Sequence, residues 1–266
     1  MDVSVSITNY PVDLKGLGHA ADDCGLHTLW VADHLIQADP AAKPTDPMLE
    51  AYSVLNHLAA VTSRIRLGAM VSPVTFRAPS VLIKTVTTLD VLSGGRAWLG
   101  LGAGYEAGEA EAAGLPLPPM GERFDLLEQT LREAISTWAG DGPLSHPAPI
   151  KRPPILIGGA GEKRTLRLVA EYADACNVFD IPDGGVTIRR KLDVLRGHCE
   201  AAGRDFAGIT KTVATALRDG EPAEAFAARC ADLRSYGLEH VVVITRGRPL
   251  TPRDVELVGQ APGLIS

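Results

Sequence analysis

The chain has 266 residues, enough for one large domain or two small ones, and its 45% hydrophobic but only 5% aromatic content predicts an aliphatic core. A net charge of −6, with scattered cations and no basic block, argues against a nucleic-acid surface. There is no apolar stretch long enough to span a bilayer and no secretory-type N-terminus, and Cys24, Cys176, Cys199 and Cys230 show no CxxC or metal-type spacing, so free thiols in a reducing cytoplasm are expected.

In chain order, Val3–Ile7 reads as a strand, and a helix follows Pro11 toward Cys24 and stops at Gly25. Thr28–Ala32 is the second strand, and Pro47 opens a helix through Thr62. Ile65–Val71 is the third strand, followed by a helix from Pro79 that ends at Ser93-Gly94-Gly95. Ala97–Leu101 is the fourth strand, Gly121–Ala139 the clearest helix, and Gly140–Pro154 a Pro/Gly-rich connection rather than a domain boundary. Ile155–Ile157, Ala175–Phe179, Ile209–Ala216 and His240–Thr245 complete the strands. The helices Lys163–Tyr172, Val186–Ala202, Pro222–Tyr236 and Pro252–Val258 follow them in turn. Continuous apolar runs alternating with helices predict a parallel sheet covered by helices. Eight such units predict one α/β domain over residues 1–266, a closed (β/α)8 or TIM barrel.

In a barrel the strand ends that feed helices gather on one rim, where active sites are built. That rim would carry Asn9, Tyr10, Asp33, His34, Ser72, Gly102, Gly104, Gly158 to Gly161, Asn177, Thr245 and Arg246. Asp33-His34 is its most informative pair, because an apolar strand that stops on an acid and an imidazole suits proton transfer near neutral pH. Gly100-Leu101-Gly102-Ala103-Gly104 follows a strand, and Gly102-Ala103-Gly104-Tyr105-Glu106-Ala107 fits the GxGxxG/A dinucleotide pattern, but it sits on the fourth strand without an acid ending the next one, so a Rossmann reading is rejected. Its three glycines suggest a flat ring lying against bare backbone. Gly158-Gly159-Ala160-Gly161 runs from strand toward helix without a Walker ending and suits a phosphate on exposed N–H groups.

His19, Asp23 and His27 mimic metal-ligand spacing, but Gly25 breaks their helix and the segment precedes a strand, so a solvated surface on the opposite rim is expected and no metal site. His57 reads as structural, and no GxSxG, HExxH or paired-carboxylate pattern occurs.

Five segments together resemble the luciferase-like monooxygenase superfamily, in its coenzyme F420-dependent oxidoreductase branch. They are Leu29–Leu35, Thr62–Gly68 leading into Pro73, Leu89–Arg96 running on to Gly104, Gly121–Phe124, and Pro154–Gly159. The resemblance implies a deazaflavin cofactor, hydride transfer to or from a small organic substrate, and a homodimer. It implies that His34 is the acid/base and that Asp33 contacts the cofactor ring. A non-proline cis peptide at Met70–Val71, beside Ser72, would press on the ring's back face. Gly102, Ala103 and Gly104 would form the ring-contacting turn, and Gly158, Gly159, Ala160 and Gly161 the phosphate site. Sugar-phosphate dehydrogenases of the family carry glutamates where this chain has Asn9 and Tyr105, which argues against that substrate. The short turn Arg218–Glu221 stands where relatives often carry a lid, which implies an open site or closure by a neighbouring subunit. Two rival readings are an FMN-dependent two-component monooxygenase and a non-catalytic flavin-binding barrel.

Overall fold

In the computed structural model, which describes residues 1–11 and 13–265, runs rich in valine, isoleucine and leucine form the strands, as β propensity favours. They are β1 (Asp2–Ile7), β2 (Thr28–Val31), β3 (Arg66–Ala69), β4 (Ser72–Pro73), β5 (Ala97–Gly102), β6 (Ile155–Gly158), β7 (Ala175–Phe179), β8 (Thr210–Ala216) and β9 (His240–Ile244). Every pairing is parallel. The order β3-β2-β1-β9-β8-β7-β6-β5-β4, with β3 also paired to β5, closes the sheet. β3 and β4 are halves of one stave, so the nine strands make an eight-stave (β/α)8 barrel. Around it run α1 (Leu14–Asp23), α2 (Ala51–Val61), α3 (Pro79–Ser93), α4 (Ala107–Ala112), α5 (Met120–Trp138), α6 (Thr165–Tyr172), α7 (Val186–Ala202), α8 (Ala223–Ser235) and α9 (Pro252–Leu264). No helix among the described residues is long and apolar enough to cross a membrane.

Several elements differ from the sequence expectation, three of them in ways that bear on the site or on the closure of the chain. α2 begins at Ala51 instead of Pro47, because the Glu50 carboxylate accepts the N–H groups of Tyr52 and Ser53 and sets the start. The third stave breaks at the cis peptide Met70–Val71 and resumes its ladder at Ser72. α9 runs on to Leu264, anchored at its start by a capping box between Thr251 and Asp254.

The main core lies between strands and helices, while Trp30, Trp98, Leu156, Ala175 and Val242 form a second cluster. These five come from staves spread around the ring and can meet only inside it. The Trp30 and Trp98 rings sit 5.5 Å apart there. A Cβ added to Gly68 would stand 2.7 Å from Trp98 and 2.8 Å from Trp30, so this glycine makes room for both indoles.

Below the indoles, His240 is buried with Nε2 2.6 Å from Ser4 Oγ, and His27 packs edge-on at 4.8 Å between ring centroids. His27 was expected on a solvated surface. It is half-buried, its Nδ1 2.7 Å from the Thr28 hydroxyl, whereas His19 is exposed as expected. Burial, with His27 and the N-terminal amine adding like charge, pushes the His240 pKa down to about 3. A histidine depressed in the folded state binds its proton first in the unfolded chain. Its contribution is therefore intact above the unfolded value near 6.5 and is lost as pH falls toward 3. Urea unfolding across pH 7 to 4 should show stability falling by up to about 1.4 kcal/mol per pH unit from this group. His240→Gln should flatten that slope; an unchanged slope would place the acid sensitivity elsewhere.

Candidate active site

The C-terminal ends of the staves surround a cavity of about 610 Å³, open at the barrel mouth. Ten of the twelve residues expected at the site line it: His34, Met70, Val71, Gly102, Ala103, Gly104, Gly158, Gly159, Ala160 and Gly161. Asp33 and Ser72 do not. Side chains of successive residues in an extended segment point to opposite sides, so Ala32 and His34 face the cavity while Asp33 between them faces away.

Behind the wall, the buried Asp33 carboxylate accepts from Arg77 Nη1 at 2.6 Å, from Arg77 Nη2 at 3.1 Å and from the Ser72 hydroxyl at 2.6 Å. Arg77 also donates to Glu50 at 2.6 Å and lies over the Tyr52 ring at 4.9 Å. The Tyr52 hydroxyl closes the network 2.9 Å from Ser72. Burial, then the Asp33 charge, pushes the Tyr52 phenol well above its usual value, so it stays protonated. Asp33 thus holds the end of β2 to the start of α3 and contributes no atom to the cavity.

Val71 forms the cavity's inner wall. Its methyl groups occupy the space where side chains on two neighbouring strands would stand. A Cβ on Gly102 would be 2.7 Å from Val71, and one on Gly158 would be 2.9 Å away. The glycines of the fourth-strand exit were expected to clear space for a ring. Gly102 first clears space for Val71, and a Cβ on Gly100 would meet the Ala69 carbonyl at 2.0 Å. The turn after β6 has Gly159 at a φ of 99° and lines the cavity as bare backbone. It leads through three further residues to α6, which starts at Thr165 rather than Lys163.

His34 stands on the rim with Nδ1 2.8 Å from Glu109 Oε2 and its ring edge-on to Tyr105 at 6.0 Å. Glu109 is the residue of this site that sequence reasoning missed. It sits on the short helix α4 within Glu106-Ala107-Gly108-Glu109-Ala110-Glu111, a run that looks like a solvated acidic face. Only Glu109 of these three acids is buried. The signal available was its three-residue offset from Glu106 on a helix closing over the rim, and nothing local separates it from Glu111.

Farther along the loop that carries His34, Asp39 accepts from Asn9 Nδ2 at 2.8 Å, from Gly247 N–H at 2.7 Å and from Ala41 N–H at 3.0 Å. Burial opposes its ionisation, but these donors and Arg246 outweigh burial and hold the carboxyl below its usual range. Of the expected rim residues, Asn9 is held by Asp39 and Arg246 lines the cavity. Lys163, the other expected anion contact, is exposed and outside it.

An eight-stave barrel with a glycine-lined mouth, a valine wall and a carboxylate-held histidine defines a cofactor-sized site. The profile of the luciferase-like monooxygenase family matches residues 4–249, and the chain belongs to that family. An uncharacterised protein of Mycobacterium tuberculosis is 29% identical over 245 residues, which is 80% of this chain and 81% of that protein. An F420-dependent glucose-6-phosphate dehydrogenase of Kineococcus radiotolerans is 30% identical over 233 residues, covering 81% of this chain and 66% of the relative. Among solved structures, an F420-dependent secondary alcohol dehydrogenase bound to an F420–acetone adduct superposes with a TM-score of 0.85, covering 100% of this chain and 99% of that one, at 14% identity. At that identity the match speaks for the fold.

The Asp33–Arg77 pair gives a direct test of the wall. The two side chains are 0% and 16% exposed, so removing one charge strands the other in a desolvated place. Arg77→Gln should cost about 3–5 kcal/mol in urea unfolding. Adding Asp33→Asn should recover more than half of that loss. A cost below about 1 kcal/mol, as for an exposed pair, would mean that solvent screens this contact.

Proposed function

We propose that this protein is an F420-dependent oxidoreductase that moves hydride between the deazaflavin and a small organic substrate, with His34 handling the accompanying proton. The observation that carries the reading is an imidazole at the mouth with one nitrogen held by a buried carboxylate and the ring lining the cavity. The names borne by the Kineococcus relative and by the alcohol dehydrogenase of the same fold support the choice of cofactor.

The residues present fit such a group. A cavity of about 610 Å³ falls in the ordinary range for small-molecule sites. Val71 offers an apolar surface to one face of a planar ring. Gly102 to Gly104 leave backbone bare along an edge, and Gly158 to Gly161 would hold an anionic tail on exposed N–H groups, with Arg246 as the cation on the opposite side. The bound deazaflavin would supply a carbon that accepts or gives hydride. His34 would take the proton from a substrate hydroxyl in the oxidising direction, or give one in the reducing direction. Tyr105, at the position of a family glutamate, presents an exposed ring beside His34, which suits an uncharged substrate better than a sugar phosphate.

Titration with F420 and with FMN, each oxidised and reduced, should show F420 binding at least about 100-fold tighter, a 2.7 kcal/mol preference or more. Tight FMN binding without F420 binding would overturn the reading in favour of the monooxygenase. His34→Ala should hold the F420 affinity within about threefold and lower turnover by at least about 100-fold, the usual span of acid/base catalysis. Undiminished turnover would remove His34 from the chemistry.

A further inference from the structure

Glu109 has a chemical consequence that follows from its two oxygens. The side chain is 1% exposed, and a carboxylate withdrawn from water to that degree is tolerated only when its oxygens are satisfied. Oε1 accepts the backbone N–H groups of Leu35 and Ile36, the second at 3.3 Å. Oε2 faces His34 Nδ1 at 2.8 Å. One side chain from the loop-helix after β5 therefore grips three groups on the loop after β2.

We infer that Glu109 is a positioning residue that fixes His34 as the Nδ1–H tautomer, so that Nε2 keeps its lone pair for the substrate proton. A carboxylate has no hydrogen to donate, so the contact with Nδ1 requires the hydrogen on the ring. A neutral imidazole carries one N–H, which leaves Nε2 as acceptor. Nε2 has no hydrogen-bond partner among the described residues, and the ring lines the cavity.

The inference rests on the proposed proton role of His34 for its catalytic meaning. In the oxidising direction the substrate O–H bond breaks and its proton goes to Nε2. A bound, oxidised deazaflavin would supply the acceptor for the hydride from the carbon bearing that oxygen, leaving a carbonyl. Glu109 then lies against the imidazolium and balances its charge. In the reducing direction the proton on Nε2 would pass back to the carbonyl oxygen while a reduced deazaflavin would supply the hydride to its carbon. The opposite tautomer would present an N–H to the substrate hydroxyl and could take no proton from it.

Glu109→Gln separates this role from a merely structural one. The N–H groups of Leu35 and Ile36 still need an acceptor, so the amide oxygen keeps the place of Oε1. The amide nitrogen then points at Nδ1 as a donor and forces the hydrogen onto Nε2. The nitrogen-15 spectrum of ring-labelled histidine, taken at pH 8 without cofactor, should show His34 as Nδ1–H in the wild type and Nε2–H in the variant. With F420, the kcat of the variant should fall at least about 100-fold, as when the orienting acid of a catalytic histidine becomes an amide, while F420 affinity and substrate KM stay within about threefold. A wild-type spectrum showing Nε2–H overturns the inference even if the variant does not fold. A variant that keeps the wild-type tautomer, or that switches it with undiminished kcat, overturns it too. A switch of tautomer in a protein that binds no F420 would refute the proposed function and support the action of Glu109 on His34.

Discussion

The mouth of this barrel depends on how closely the third stave passes its neighbours. Val71 projects across the ring until its methyl groups reach the backbone of β5 and β6, and those strands meet it with Gly102 and Gly158. Interiors pack too densely to absorb an extra carbon at 2.7 or 2.9 Å, so the valine and the two glycines form a single steric unit. From that unit follow the apolar inner wall and the stretches of bare backbone on both sides of it. Gly68 repeats the arrangement one layer down, where it admits the Trp30 and Trp98 indoles that close the barrel below.

Two buried carboxylates fix the rim above this floor, and they differ in what they face. Asp33 turns outward and spends its oxygens on Arg77 and Ser72, which couples the end of β2 to α3 and, through Glu50 and Tyr52, to α2. Glu109 arrives from another stave, on α4, and meets the same loop at His34, Leu35 and Ile36. The segment Asp33–Ile36 is therefore held by both carboxylates. A loop pinned in this way loses little further freedom when a ligand binds, which is the physical content of preorganisation.

How much of this was legible in the chain depended on whether a signal was periodic or tertiary. The eight staves were readable because apolar runs alternate with amphipathic helices, and a parallel sheet leaves few other arrangements. His34 and the glycine turns were readable because they sit at strand exits. The reading of Asp33 as a ring contact went astray on a local rule: neighbours in an extended segment face opposite ways, so the pair Asp33-His34 could send only one member into the cavity. Gly102 was read as space for a ligand, when it first serves Val71, a contact between segments about 30 residues apart that no local pattern reveals. Glu109 was invisible for the same reason. Its burial is created by the β2 loop lying over it, and nothing within Glu106–Glu111 marks the middle acid as different.

The histidines at the two ends of the barrel show how differently one side chain can be surrounded. His240 is enclosed by the lower core beside a serine and a second imidazole, with no carboxylate in hydrogen-bond contact, and burial keeps it neutral far below its usual range. A proton there would need charge compensation that the site lacks, so His240 serves packing and the Ser4 contact. His34 has a carboxylate at 2.8 Å on one nitrogen and an open cavity before the ring. In the proposed role, a proton taken up at His34 would be faced by the Glu109 carboxylate. The exchange of solvent for a fixed counter-charge is what the proposed proton role asks of an imidazole. In this fold that exchange is made at the C-terminal ends of the staves, where loops from different strands can bring an acid and a base together without disturbing the ladder beneath them.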